Sequence, residues 1–412
     1  MNWVIDPGSD LRCAHEQASQ SEAAVKSLLL TLISRATETP RLCSEVAPIV
    51  RDALEAAGLT VEEHFPQSGN QERFPILLGW AGQRSTKPDI LLCAHLDTSP
   101  AGEGWSRNPY GEEHDGFIFG RGSVVSKSDV AVFIHAASAA HVAMGGKEDI
   151  SLVVAITSDE GSGGEYGAAY ILEELGLRPR VAVFAGVSDV VTIAHNGCVQ
   201  VKILLVGASC HQSLLQPRED AMRHATTICA ALYAVSDEIA GRCSAIPGIS
   251  SPTLNITKVV GGHGFGMSPR VVEIWVDRRV IPDESVNAAR DELLDRILSL
   301  RSMTDVRTEV DVVRIAEPMR PSKSQDHFVQ LLQNEAYVAF GKTLRAQGST
   351  LYTDARWFSN AGIPTVMYGA GEADIKVSGA NGNDERIPER CLREATVILA
   401  RAIVRYCANQ QQ

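Results

Sequence analysis

His95 and Asp97 close the apolar run Asp89-Ile-Leu-Leu-Cys-Ala-His-Leu-Asp97. A buried strand that ends in His-x-Asp puts an imidazole and a carboxylate at the carboxyl edge of a sheet, where open α/β sheets hold their chemistry. Side chains alternate across a strand, so positions 95 and 97 face the same way and could share one ligand or metal ion while Leu96 packs behind them. The alternative is a satisfied core histidine beside a turn-capping aspartate. A second β-rich run, Ile150-Ser-Leu-Val-Val-Ala-Ile-Thr157, also discharges into acid, at Ser158-Asp-Glu160-Gly-Ser-Gly-Gly-Glu165. Glu160, at the end of a neighbouring strand, is placed to act as a general base, because burial of a carboxyl raises its pKa.

The elements that must hold these residues can be read from the patterning. Between the two strands lies Gly120-Arg-Gly-Ser-Val-Val-Ser-Lys-Ser-Asp129, followed by an Ala-rich segment, residues 130–144, that reads as a buried helix. Up to about residue 198, and again from about 320, helical patterns alternate with short apolar runs, as in a mostly parallel sheet covered on both faces. Between them the order is strand 199–206, helix 218–240, strands 252–260 and 271–280, helix 284–302 and strand 306–315, a ferredoxin-like β-α-β-β-α-β arrangement. The expected organisation is a catalytic α/β domain at 1–198 and 318–412 with an inserted α+β domain at 199–317.

Composition narrows the function classes. A chain of 412 residues with 44% apolar content can bury a large core. A net charge of −12 argues against a nucleic-acid surface or an anionic membrane and for a small-molecule substrate. The nine cysteines form no C-x-x-C pair and sit largely in apolar segments, which suggests reduced core thiols and a cytoplasmic setting. No apolar run approaches the ~18 residues of a membrane span.

These ordered motifs, from His95 to about residue 387, resemble the zinc aminoacylase and carboxypeptidase family that includes acetylornithine deacetylase, succinyl-diaminopimelate desuccinylase and the glutamate carboxypeptidases. The resemblance implies a zinc-peptidase-like catalytic domain, a lid that forms a homodimer, and hydrolysis of an amide or related C–N bond in a small amino-acid-like substrate. It casts His211, in Gly207-Ala-Ser-Cys-His211, as an oxyanion donor reaching into the partner's site. Arg279 of Asp277-Arg-Arg279 stands where a substrate carboxylate would be clamped, or it merely pairs with Asp277. Asp354 and Arg356, in Ser349-Thr-Leu-Tyr-Thr-Asp-Ala-Arg356, are implied pocket residues, with a buried salt bridge as the alternative.

The departures matter as much. The family's bridging aspartate falls on Val125, its second metal acid on Gly161, and its late histidine at or near Asn381, left as a substrate-side residue. Asp129, four residues after Val125 and on the same helix face, could substitute as a ligand. Alternatively Ser126-Lys-Ser-Asp129 is a capping box. Asp189 is the carboxylate nearest the remaining metal position, or equally a turn residue. A catalytic zinc takes about three protein ligands plus water, so His95, Asp97, Asp129 and Asp189 support at most one divalent cation, zinc or manganese, or none. The function expected is an amidohydrolase using Glu160, Asp97 and His211. The alternatives are metal-independent acid–base chemistry, such as cyclisation, isomerisation, elimination or condensation, and a non-catalytic binding relic.

Overall fold

The computed structural model describes residues 7–410. By contacts the chain divides into two units. One takes residues up to Ile193, Pro321–Ala346 and Thr353 onward; the other takes Ala194–Arg320 with Gln347–Tyr352.

The larger sheet, six of whose strands lie wholly in the first unit, has eight strands in the order Thr60–His64, Ile76–Gly82, Ser151–Thr157, Ile90–His95, Val181–Phe184, Thr365–Met367, Val190–His195, Arg345–Ser349. Its centre is parallel: Ile90–His95 runs beside Ser151–Thr157 and Val181–Phe184, and Val181–Phe184 beside Thr365–Met367. The outer pairings that flank it, with Ile76–Gly82 and Val190–His195, are antiparallel. The central strands are apolar and wholly buried, as a sheet covered on both faces requires. The Ala-rich helix is present as Lys127–Ala143; it is buried nearly all round, because small side chains let it lie between the sheet and the helices Pro7–Gln20 and Glu389–Gln410. All four parallel strands therefore release their carboxyl ends at one edge, at His95, Thr157, Phe184 and Met367.

The second unit is a four-stranded antiparallel sheet in the order Thr253–Gly261, Val271–Val280, Gly197–Val206, Arg307–Ala316, with helices Ala221–Ile239 and Val286–Ser299. Val199, Val201, Ile203 and Leu205 alternate inward with Gln200 and Lys202 outward, so one face packs on the helices. This is the expected β-α-β-β-α-β order, and the α/β class with a large, mostly parallel sheet and a separate antiparallel sheet is the one observed.

Candidate active site

His95 is the last residue of its strand. Its backbone amide donates to Ser126 Oγ at 3.1 Å, which ties the strand end to the loop that starts the helix Lys127–Ala143. The ring Nδ1 lies 3.0 Å from the Asp97 carbonyl and 3.3 Å from Asp97 Oδ1. Asp97 spends both oxygens on the next strand's turn: Oδ1 accepts the Glu160 amide at 3.2 Å and Oδ2 the Gly161 amide at 2.8 Å. One carboxylate thus joins the ends of two adjacent strands. Burial opposes charge on His95, but the Asp97 carboxylate, followed by Glu160 and Asp354, lifts it to about 10. Burial likewise works against the Asp97 anion, yet His95 and the two amides hold it below the usual carboxylate range. The pair is an imidazolium and a carboxylate.

After Thr157 the chain turns through Asp159 into a short 3₁₀ segment, Glu160–Ser162. Glycines at 161, 164 and 167 are each pressed against a carboxylate. A Cβ on Gly161 would stand 3.3 Å from Asp97 Oδ2, on Gly164 2.0 Å from Asp354 Oδ1, and on Gly167 2.2 Å from Asp159 Oδ1. Asp159 is buried and accepts the Tyr166 amide at 2.7 Å. Burial, with Asp97 and Glu160 nearby, pushes it up to about 7 despite that amide and the Gly167 amide. Asp354, 4% exposed, is raised well above the carboxylate range by burial and by Glu160 and Asp159, against the pull of Arg356 and His95. Arg356 donates from Nη2 to the Gly163 carbonyl at 2.6 Å and lies 4.4 Å over the Trp357 ring, whose Nε1 donates to the same carbonyl at 3.0 Å. Glu160 itself is half-buried and Glu165 is exposed.

The structure thus brings His95, Asp97, Glu160, Asp354 and Arg356 together. It adds Asp159, to which the sequence reading gave no role. The three-residue spacing of Gly161, Gly164 and Gly167 was the available signal.

The other candidates lie elsewhere. Asp129 is 1% exposed; its Oδ1 accepts the Ala370 amide at 2.7 Å and its Oδ2 the Gly186 amide at 3.2 Å. The capping box is corrected: Ser126 makes no side-chain cap because its hydroxyl is taken by His95, and Asp129 binds loops remote in sequence. Burial pushes Asp129 up to about 8 against those amides. Asp189, with a side chain 41% exposed, pairs with Lys342 at 2.6 Å. Asn381 sits exposed in a turn at φ 59°. Four residues on, the fully buried Glu385 pairs with Arg121 at 2.7 Å and accepts the amides of Gly122 and Val124 at 3.1 and 2.9 Å, fixing the loop before Ser126. In the second unit, exposed His211 accepts the Ser213 amide on Nδ1 at 3.3 Å, which leaves the ring proton on Nε2. Arg279 donates from Nε to Asp277 at 2.7 Å and stacks 5.2 Å over Tyr352, while Gln200 donates to the other Asp277 oxygen at 2.6 Å. The Asp277 pair is therefore formed.

With this geometry in hand, comparison with known proteins is decisive at the level of family. The model of peptidase family M20/M25/M40 matches residues 91–405. The chain belongs to this family. Solved structures with the same fold include human carnosine dipeptidase 1 (TM-score 0.76, 17% identity, 97% of this chain and 100% of that one) and the di-peptidase Dug1p from Saccharomyces cerevisiae (0.78, 15%, 98% and 100%). The M20 family metallo-carboxypeptidase Sso-CP2 from Sulfolobus solfataricus is a third (0.75, 15%, 93% and 99%). At these identities the likeness shows the fold. Family membership makes the chain a peptidase-like hydrolase by class.

Metallopeptidases of this family use divalent metals, usually zinc, and the donors at this sheet edge do not fit such an ion. Val125 carries no donor atom, Asp97 and Asp129 have both oxygens on backbone amides, and Asp189 is held by Lys342. Among the described residues no group of three or more His, Cys, Asp or Glu side chains is arranged to hold a metal.

Proposed function

We propose that this M20 member acts on an amide or related C–N bond of a small amino-acid-like substrate, with Glu160 as the general base and without a two-metal centre. The observation that carries this reading is the Asp97 carboxylate, which fixes His95 and the amides of Glu160 and Gly161 at once. It sets a base and a cationic ring side by side at the edge where four parallel strands end. Glu160 takes the proton of the water as its oxygen bonds to the carbonyl carbon, the His95 imidazolium stabilises the carbonyl oxygen as it gains charge, and on collapse of the tetrahedral intermediate the C–N bond breaks and Glu160 returns the proton to the departing nitrogen. Asp97 positions both and keeps the ring charged. His211, with its proton on Nε2, is a further oxyanion donor supplied across a homodimer of the second unit. A second reading, non-hydrolytic acid–base conversion on the same groups, is favoured by the engagement of Asp97 and Asp129 with backbone amides and of Asp189 with Lys342.

Glu160→Gln tests the core of the proposal. Turnover of an N-acylated amino acid or dipeptide is expected to fall by at least about 10²-fold, the usual weight of a general base, with secondary structure unchanged by circular dichroism. Unaltered turnover removes Glu160 from the mechanism. Metal analysis of protein purified without chelator addresses the metal requirement of both readings: full activity in metal-free protein supports chemistry by side chains alone, and activity restored only by zinc or manganese refutes it.

A further inference from the structure

The parallel pair Val181–Phe184 and Thr365–Met367 does not simply end at its carboxyl tips. The Tyr368 amide donates to the Phe184 carbonyl at 3.0 Å, and further along the pairing resumes, with the Gly371 amide on the Gly186 carbonyl at 3.0 Å and the Ser188 amide on the Gly371 carbonyl at 2.7 Å. Between these rungs the amides of Gly186 and Ala370 leave the ladder, and both donate to the carboxyl of Asp129 at 3.2 and 2.7 Å. The carboxyl is inserted between two strand tips, in space that a glycine keeps open: a Cβ on Gly369 would stand 2.0 Å from Asp129 Oδ1. Asp129 lies in the first turn of Lys127–Ala143, and Ser126, just ahead of that turn, accepts the His95 amide. One helix start therefore holds the tips of Ile90–His95, Val181–Phe184 and Thr365–Met367, while Asp97 joins the first of these to the end of Ser151–Thr157 through the Glu160 and Gly161 amides. His95 also acts on the Asp129 carboxyl through space. A carboxyl buried this deeply persists only where hydrogen bonds offset its desolvation, and here two strand-tip amides supply them.

We propose that Asp129 is a positioning residue of the catalytic edge, doing with two hydrogen bonds what a shared cation does in a metal-held site. It touches no substrate. It acts through the loops that follow Phe184 and Met367 and, by way of the helix start, on His95. Its effect on turnover rests on the functional reading above, whereas its effect on the strand tips does not. The edge is complete without a metal, because Asp97 and Asp129 already have both oxygens engaged by backbone amides. Asparagine cannot replace Asp129, since it offers one acceptor and sets an N–H against the other amide.

Hydrogen exchange of the full-length protein, read by mass spectrometry after chelator treatment and again with equimolar zinc, tests the strand tips without a substrate. In Asp129→Asn, residues 185–189 and 369–374 should exchange at least about tenfold faster, the loss of one buried hydrogen bond. Zinc should leave wild-type exchange there unchanged. Turnover is measured with whichever N-acylated amino acid or dipeptide the wild type cleaves best. Asp129→Asn should lower kcat by about tenfold or more and keep KM within about twofold, because the reacting groups are misplaced while the contacts that bind substrate remain. Glu335→Gln is the control for a purely structural loss: Glu335 is as deeply buried and pairs with Arg401 at 2.7 Å between the helices Asp326–Phe340 and Glu389–Gln410. That variant should unfold at a lower temperature and keep kcat within about twofold. If Asp129→Asn does not fold, Gly369→Ala, which displaces the carboxyl without removing it, takes its place with effects of the same sign. Exchange unchanged in the variant, wild-type exchange slowed by zinc at these tips, or a kcat as intact as that of Glu335→Gln overturns the inference. The two readings fail separately. A wild type that cleaves no such compound sinks the functional reading and leaves exchange to decide this inference, whereas tips untouched by Asp129→Asn sink this inference whatever the turnover.

Discussion

At Gly164 the crowding of the site can be separated from ordinary backbone strain. Gly164 and Gly102 share φ 73°, but nothing lies within 4 Å of a Cβ on Gly102, whereas one on Gly164 would overlap Asp354 Oδ1 at 2.0 Å. Gly102→Ala should therefore cost only the left-handed backbone, about 1 kcal/mol. Gly164→Ala adds overpacking against a buried carboxyl and should cost about 3 kcal/mol in all. In an Asp354→Ala background the extra loss should vanish, leaving the Gly102 value. Urea unfolding of the four variants measures this coupling; a Gly164→Ala cost that does not depend on residue 354 would show that the carboxyl is not what the glycine accommodates. The same reasoning explains why Asp97 behaves unlike Asp354. Two amides and an imidazolium answer the first, while burial and two other acids outweigh Arg356 and His95 at the second.

At the level of elements, the start of the helix Lys127–Ala143 carries a measurable pH signature. Lys127 is 1% exposed, and burial lowers its amine to about 8, against the pull of Cys43, Glu38 and Glu385. Between about 8 and the ordinary lysine value the unfolded chain binds a proton that the folded chain does not, so stability rises with pH across that window and is flat below it. Lys127→Met should abolish the rise. The gap between wild type and variant in unfolding free energy should widen with pH by up to about 3 kcal/mol, and a constant gap would mean the amine stays charged when folded. The helix was legible in the sequence because its run of alanines is local, as were the strands that end at His95 and Thr157. The partners at its first turn were not. Ser126 and Asp129 have the spacing of a capping box, but the Ser126 hydroxyl is claimed by an amide 31 positions earlier and the Asp129 carboxylate by amides 57 and 241 positions later. Asp159 was passed over for a related reason: it looks like an ordinary strand-end aspartate until Gly167, and Asp354 from the far end of the chain, are folded beside it.

For the whole molecule, the remaining question is whether one chain completes a site. In the second unit the edge strand Thr253–Gly261 leaves Val259 and Val260 about half exposed, and the turn beyond it leaves Phe265 fully exposed. An apolar sheet edge of this kind invites pairing with another copy, in keeping with the proposed homodimer. Val260→Lys should then halve the solution mass measured by light scattering, from twice 44.4 kDa to the mass of one chain. If His211 acts across that dimer, His211→Ala and Glu160→Gln proteins are each inactive, yet a mixed dimer contains one site with both groups intact and one with neither. Random exchange of equal amounts makes half of the dimers mixed, so about one quarter of wild-type activity should return. Adding Val260→Lys to both partners should abolish that recovery. Complementation that never appears, although mixed dimers form, would place His211 outside the partner's chemistry and leave the His95–Asp97 pair as the oxyanion's support.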